Sequence, residues 1–181
     1  MNLWFRLVRV LVRALLAPRL GFLDESVVEF RVLPTDLDVN VHMNNARYLS
    51  MMDLGRFDLI IRTGMLKALL RGGYRPVLSS VLLRFRRPLR PFERFRVRSR
   101  VIGWDERRAY MEQLVEADGV IACRAINSAA FLQGGRTAAP AEFARFAGSA
   151  ATSPPLPLWI AEWQDVETAI AQDVGTPRAG V

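Results

Sequence analysis

The 181-residue chain carries one cysteine and one histidine, and Lys67 is its only lysine. Each scarcity removes a class of chemistry. The lone thiol, Cys123, cannot close an internal disulfide, so the chain suits a reducing, cytoplasmic compartment, where a small buried residue is the ordinary role of such a cysteine. No cluster with metal-ligand spacing, no glycine-rich phosphate loop, no Gly-x-Ser-x-Gly turn and no internal repeat occurs. No cofactor is therefore expected. Uninterrupted apolar runs are also missing. Arg6, Arg9 and Arg13 divide the N-terminus long before the ~18 to 20 residues that a bilayer span needs. They also divide it before the run of about 7 to 15 apolar residues of a cleaved secretory signal.

Charge of one sign predominates. Lys and Arg total 25 against 18 for Asp and Glu, giving +7 and a pI of about 10.8. Polyanionic partners are favoured, although a genomic preference for Arg codons accounts for the arginine excess at least as readily. Nucleic acid is not expected, because no recognition-helix or aromatic stacking motif accompanies the arginines. With 51% hydrophobic residues, the chain can bury one full core.

Residues 1–17 read as a basic amphipathic helix, with Arg6, Arg9 and Arg13 at spacings of three and four beside Leu3, Trp4, Leu7, Val8, Val10, Leu11, Leu15 and Leu16. Two roles fit it equally: a helix lying on anionic lipid as a peripheral membrane contact, or a helix docked on its own domain or a partner subunit. Residues 27–33 alternate as a half-buried strand that Pro34 ends. Residues 46–70 predict one long helix, apolar on nearly every side and so largely buried, capped by Asn44 or Asn45 and ended at Gly72-Gly73. Four further strands are predicted at 77–86, 94–104, 107–115 and 120–132, forming an antiparallel meander with hairpin turns at Asp105-Glu106 and Asp118-Gly119. Arg94, Arg96, Arg98 and Arg100 alternate with core-type residues there and read as a solvated face rather than a phosphate site. Residues 147–157 have linker composition, and 158–171 predict a last helix before a frayed end. The organisation is thus an N-terminal helix (1–21), a main domain (22–146) and a linker with a C-terminal helix and tail (147–181).

A strand, one long apolar helix and four antiparallel strands require a sheet curved around that helix, since nothing else can cover its inner face. This is an α+β chain of hot-dog type, with five or more strands and helical extensions at both ends.

The densest polar stretch precedes the long helix: Asp36-Leu37-Asp38-Val39-Asn40-Val41-His42-Met43-Asn44-Asn45-Ala46-Arg47-Tyr48. In an extended backbone Asp38, Asn40, His42 and Asn44 share one side. Histidine is the residue type that titrates near neutrality. Taken singly, Asp38 or Asn40 is more often a turn residue and Asn44 or Asn45 more often a cap. The stretch resembles the Asp-x-Asn-x-His-x-Asn-Asn signature of plant and bacterial acyl-ACP thioesterases, with hydroxybenzoyl-CoA-type thioesterases as more distant relatives. The likeness extends over about 27–132, and the basic apolar N-terminus resembles the membrane-associated branch typified by thioesterase superfamily member six.

The resemblance implies hydrolysis of an acyl-CoA or acyl-ACP thioester in fatty acid metabolism, by a homodimer or dimer of dimers. It implies that Asp38, Asn40 and His42 are catalytic, with Asp38 as general base or nucleophile. Relatives often carry a Glu where this chain has Asp53, so Asp53 is expected to act through neighbouring groups, as are Asp36 and Asn44. Helix N-terminal amides following Asn45 are candidates for the oxyanion, and Asn45, Tyr48, Leu49, Met52, Val81 and Leu83 for substrate contacts, Tyr48 chiefly by packing. A hot-dog module that binds acyl groups without turnover is the competing expectation. A related dehydratase or hydratase ranks last because its motif spacing differs.

Overall fold

The computed structural model describes residues 2–175. Met1, the expected start of the first helix, and residues 176–181, where fraying is expected, lie outside the described residues. Period-two alternation places Phe95, Val97, Ser99 and Val101 of the strand Arg94–Trp104 on the buried face, as alternation requires. It is the third of six antiparallel strands among the described residues: β1 (Ser26–Arg31), β2 (Arg75–Phe85), β3 (Arg94–Trp104), β4 (Ala109–Ala117), β5 (Val120–Gln133) and β6 (Arg136–Ala138). β3, β4 and β5 form the predicted meander. Asp118 and Gly119 turn the β4–β5 hairpin at φ 51° and 73°, the paired positive values that a two-residue type I′ loop requires.

β2 does not join that meander. The sheet order is β1-β3-β4-β5-β2, so β2 pairs antiparallel with β5 and forms the edge opposite β1. The helices before it explain the displacement, because they cross the inner face of the sheet and deliver the chain to its far side.

The long helix is also two helices, α2 (Asn45–Arg62) and α3 (Met65–Arg71), rather than one. Gly64 between them adopts φ 82°, a left-handed conformation that only glycine takes without steric cost. The Thr63 hydroxyl donates to Leu59 O at 2.6 Å in the last turn of α2. As the order of elements requires, α2 fills the curve of the sheet. Tyr48, Met51, Met52 and Leu54 share one core with Val28, Phe30, Phe95, Val97 and Val115. Gly55 allows the close approach: a Cβ there would sit 2.7 Å from Val97 Cγ1.

Three of the four arginines of β3 are matched by carboxylates. Arg96 reaches Glu29 at 2.9 Å, Arg98 reaches Glu25 and Glu116, and Arg100 reaches Glu112 at 2.7 Å, so this part of the ladder is a solvated, internally paired face. β6 and a short helix α4 (Pro140–Phe146) follow β5 without having been anticipated. The stretch of linker composition is fastened along β3, where Ser153 Oγ accepts from Trp104 N and donates to Trp104 O, both at 2.7 Å. The last helix, α5 (Trp159–Gly175), covers the outer sheet face through Ile160 against Tyr110 and Ile126. Gln164 Nε2 donates to Asp105 there, and Arg108 pairs with Glu167. Cys123 lies in the core, and burial pushes its thiol up to about 12.

The N-terminal helix, α1 (Asn2–Leu16), docks on the main domain with part of its arginine stripe turned inward. Arg6 Nη2 donates to Asp36 Oδ2 at 2.7 Å and to Arg31 O at 2.9 Å. Two turns later Arg13 Nη1 stands 3.6 Å from Asp58 Oδ1, and Val10 and Ala14 between them are buried. The outward face is left to Trp4, Phe5, Val8, Val12, Leu15 and Leu16, the first 72% exposed and the last 82%. Among the described residues no helix is long and apolar enough to cross a membrane. Removing one partner of a buried ion pair strands the other charge. Arg6→Met is therefore expected to destabilise the fold by about 3 kcal/mol, read as a lower urea midpoint; an unchanged midpoint would show that α1 contributes nothing through this pair.

Candidate functional site

The polar stretch before α2 is a closed turn, not an extended segment, which corrects the shared-side arrangement expected of Asp38, Asn40 and His42. Leu37 and Met43 form an isolated antiparallel bridge. Inside it Asp38 N donates to His42 O at 2.9 Å and Val41 N to Asp38 O at 3.1 Å. Val41 closes the turn at φ 59°, an unusual conformation for a β-branched residue. The Asp38 carboxylate supports the turn from within, its Oδ1 accepting from Asn40 N at 2.9 Å and, more weakly, from His42 N at 3.5 Å. This is the local side-chain-to-backbone bonding that short polar residues offer. Asp38 Oδ2, the Asn40 carboxamide and the His42 imidazole make no hydrogen bond among the described residues. The three residues thus share one turn, but Asp38 and His42 are joined through the main chain rather than through the imidazole.

Neighbouring elements fix that turn in place. Met43 N donates to Leu89 O at 2.9 Å and Asn44 N to Asp36 O at 2.8 Å. Leu89 N donates in turn to Tyr48 Oη at 3.1 Å. Tyr48 is buried edge-on to Phe85; desolvation raises its phenol above the ordinary value. Asp36, one turn earlier, is the buried carboxylate of the stretch, holding Leu33 N at 2.9 Å together with Arg6. Arg47 lies 3.9 Å from its other oxygen.

Asn44 is the N-cap of α2, its Oδ1 accepting from Ala46 N at 2.9 Å and its O from Arg47 N at 2.9 Å. This corrects the expectation that the amides following Asn45 stand free for an oxyanion: the cap consumes them. The Asn45 amide itself makes no hydrogen bond among the described residues. Leu49 is partly exposed on α2, whereas Met52 lies in the core with Val81 and Leu83 packed against the same cluster. Asp53 is exposed and pairs with Arg56 at 3.2 Å.

A polar network that the sequence reading missed lies deeper, under α2. Gln113 and Asn127 are buried on the inner sheet face. Gln113 Nε2 donates to Met52 O at 2.7 Å and to Ser99 Oγ at 2.9 Å, and Asn127 Nδ2 to Gln113 Oε1 at 3.0 Å. Their oxygens face Arg56, whose Nη2 reaches Asn127 Oδ1 at 3.3 Å and Gln113 Oε1 at 3.5 Å. Burial lowers the Arg56 pKa from its ordinary value, with Asp53 opposing the shift. The signal was present in the strands, since Gln113 and Asn127 interrupt the apolar face of β4 and β5 at inward positions. The same region holds an apolar cavity of about 170 Å³, walled by Ile60, Met65, Trp104, Phe131 and Phe143, with Arg56 the only charged residue on its wall among the described residues.

Comparison with known proteins agrees with this architecture. Protein THEM6 of Xenopus laevis is 36% identical over 116 residues, 62% of this chain and 56% of that protein. Protein THEM6 of Danio rerio is 39% identical over 107 residues, 58% of this chain and 53% of that protein. The chain spans about half the length of the curated relatives it matches. Among solved structures, a thioesterase from Thermus thermophilus complexed with coenzyme A and Zn is 27% identical, with a TM-score of 0.55 over 68% of this chain and 95% of that one. A probable thioesterase from Bartonella henselae, 22% identical with a TM-score of 0.58 over 64% of this chain and 98% of that one, shares the fold. The family model described as Thioesterase-like superfamily matches residues 32–164, and with a hot-dog sheet wrapped around α2 behind an Asp-Asn-His turn, the chain belongs to that superfamily.

Proposed function

We propose that the chain hydrolyses acyl thioesters, a fatty acyl-CoA or acyl-ACP, to the free acid and the thiol. The observation that carries this reading is the state of Asp38: its turn fixes one carboxylate oxygen, and the other is unengaged among the described residues. Thioester cleavage needs an activated water or nucleophile and a stabiliser for the developing oxyanion. As general base, Asp38 takes a proton from water as the water oxygen attacks the carbonyl carbon. As nucleophile, its Oδ2 attacks that carbon and the resulting anhydride is cleaved by water. In either course the C–S bond breaks and the departing sulfur receives a proton, for which His42 is the adjacent carrier. Asn40 holds the water or the carbonyl. The unbonded Asn45 amide, at the positive end of α2, is the remaining oxyanion donor.

Coenzyme A as leaving group is supported by the Thermus thermophilus relative, which carries it, and by the basic balance of the chain, which an acidic carrier protein would satisfy equally. Assembly as a homodimer, or dimer of dimers, is supported by β2. This 11-residue edge strand is exposed along much of its length and shows Val77, Leu78, Leu82 and Phe85 to solvent, the kind of edge that proteins pair or cover. Such pairing would bring a second copy beside Val81, Leu83 and Leu49 to complete the acyl slot. A peripheral contact with lipid is supported by the outward apolar face of α1, which the exposed Arg9 borders; the compartment proposed for the chain is the cytoplasm.

The competing reading, an acyl-binding module without turnover, is favoured by one observation: Asp38 Oδ1 does what a purely structural turn residue does. Asp38→Asn separates the two. Thiol release from a graded panel of acyl-CoAs should fall about a thousandfold while acyl binding persists; equal turnover by the variant would sink the assignment. For the lipid contact, replacing Trp4, Phe5 and Leu16 with Glu leaves both inward ion pairs of α1 intact. That variant should no longer sediment with vesicles of anionic phospholipid, whereas cosedimentation at the wild-type level would rule the contact out.

A further inference from the structure

We infer that the cleft between α1 and the Arg31 end of β1 binds the phosphomonoester headgroup of an anionic lipid through Arg9, Arg31 and Arg94, a reading that rests on the lipid contact proposed for the outward face of α1. The cleft has a volume of about 570 Å³, and no residue from 34 to 48 lines it. It is therefore separate from the Asp38 turn.

Cross-strand neighbours on one face of a sheet stabilise it when their charges are opposite and destabilise it when they are alike. Glu29 and Arg96 obey that rule, opposite each other in register and 2.9 Å apart. The next outward-facing pair of the same two strands breaks it: Arg31 stands opposite Arg94, and both are exposed. Neither has a carboxylate within ion-pair distance among the described residues. Arg31 Nε donates to Phe92 O at 2.8 Å, and its guanidinium lies over the Phe92 ring, 5.6 Å from the centroid. Phe92 is exposed and adopts φ 62°, a conformation that a bulky residue takes only under constraint. These contacts hold the Arg31 side chain in place without supplying a negative charge.

α1 brings the third cation. Arg6 Nη2 donates to Arg31 O at 2.9 Å and, seven residues later, Arg13 Nη2 donates to Val27 O at 2.8 Å, which pins the helix along the free edge of β1. Arg9 lies between these anchors, exposed on the wall of the cleft and without a partner among the described residues. The carboxylates of the cleft do not offset the group, because Arg96 takes Glu29 and Arg98 takes Glu116 at 2.8 Å. Only Asp118 is left, so three free guanidinia against one free carboxylate give an excess of about two positive charges. A phosphomonoester carries about −1.5 to −2 at neutral pH on three acceptor oxygens, and the planar guanidinium fork suits phosphate geometry. A phosphodiester, with one charge, leaves part of the excess unmet.

The position of Arg9 selects a lipid over a soluble phosphate. Phe5, four residues before it, and Val12, three after it, are its neighbours on the helix surface, and both are exposed. The apolar face of α1 thus runs to the rim of the cleft, and a headgroup seated there leaves its acyl chains against that face.

The test is cosedimentation of the full chain with phosphatidylcholine vesicles that carry either phosphatidic acid, a phosphomonoester, or phosphatidylserine, a phosphodiester, at equal surface charge. Binding to the phosphatidic acid vesicles should be about tenfold tighter or more, the scale of one charge-assisted hydrogen bond. Arg94→Gln should bring it down to the phosphatidylserine level. Arg107→Gln, which removes an equal charge from the exposed turn at the far end of β3, should leave the ratio unchanged. Arg94 has no ion pair to lose, circular dichroism checks that each variant is folded, and Arg9→Gln replaces Arg94→Gln should that variant not fold. Equal binding to the two vesicles, a ratio that survives Arg94→Gln, or a ratio that Arg107→Gln lowers as much, overturns the headgroup site and leaves the lipid contact of α1 standing. Binding to neither vesicle overturns both. Coenzyme A and glycerol 3-phosphate at matched concentration serve as soluble competitors. Neither should release the chain, and release by coenzyme A alone would assign the cleft to a soluble nucleotide and overturn the lipid. None of these readouts uses a thioester, so the proposed hydrolysis is judged apart from them.

Discussion

The Asp36 carboxylate is 1% exposed, and it is held by groups from outside its own turn. Arg6 comes from a helix 30 residues earlier, and the same guanidinium bonds Arg31 O and Met51 Sδ. A carboxylate this buried needs its countercharge, so the path of the chain between β1 and α2 depends on α1 being in place. The Asp38 turn begins immediately after Asp36, and Asn44 N returns to Asp36 O at its far end. The geometry of the turn therefore inherits its fixed points from an ion pair whose cation lies on another helix.

α2 joins the Asp38 turn to the cavity. Its N-terminal end carries the cap and the turn. Its middle carries Arg56 over the cavity, and its break at Gly64 turns α3, with Met65 and Leu69, onto the cavity wall. One helix packed tightly enough that Gly55 cannot gain a methyl group gives both regions a common rigid reference. A loop supplies the Asp38 turn at one end and strands supply the polar network beneath the other.

Much of the fold could be read directly from residue order. β3 matches its predicted range because arginines alternate with inward-facing residues from Arg94 to Val101, and the Asp118-Gly119 turn is marked by two residue types that accept positive φ. The motif also located the start of α2, since Asn44 caps where a cap was expected. What could not be read has physical causes. Gly64 looks like a tolerated helix glycine until its φ is known. The position of β2 depends on where two helices deliver the chain, which periodicity does not encode. The Asp38 turn defeated the alternation argument because Val41 adopts a conformation its side chain disfavours. Arg6 and Arg13 looked like the wet side of an amphipathic helix, whereas their partners, Asp36 and Asp58, are buried carboxylates that have no signature of burial in sequence. Arg56 was overlooked for the same reason, although inward-facing Gln113 and Asn127 were there to announce it.

The attachment of α1 also has a mechanical consequence. A helix joined to a domain by a slack linker transmits nothing, but α1 is held at Arg6 to the stretch that carries Asp38 and at Arg13 to the C-terminal part of α2. Its apolar side faces away from both. A load applied to that side, by tension, tilt or contact with a surface, reaches the Asp38 turn through Arg6 and the core through Val10 and Ala14. α1 is thus a lever with a short arm.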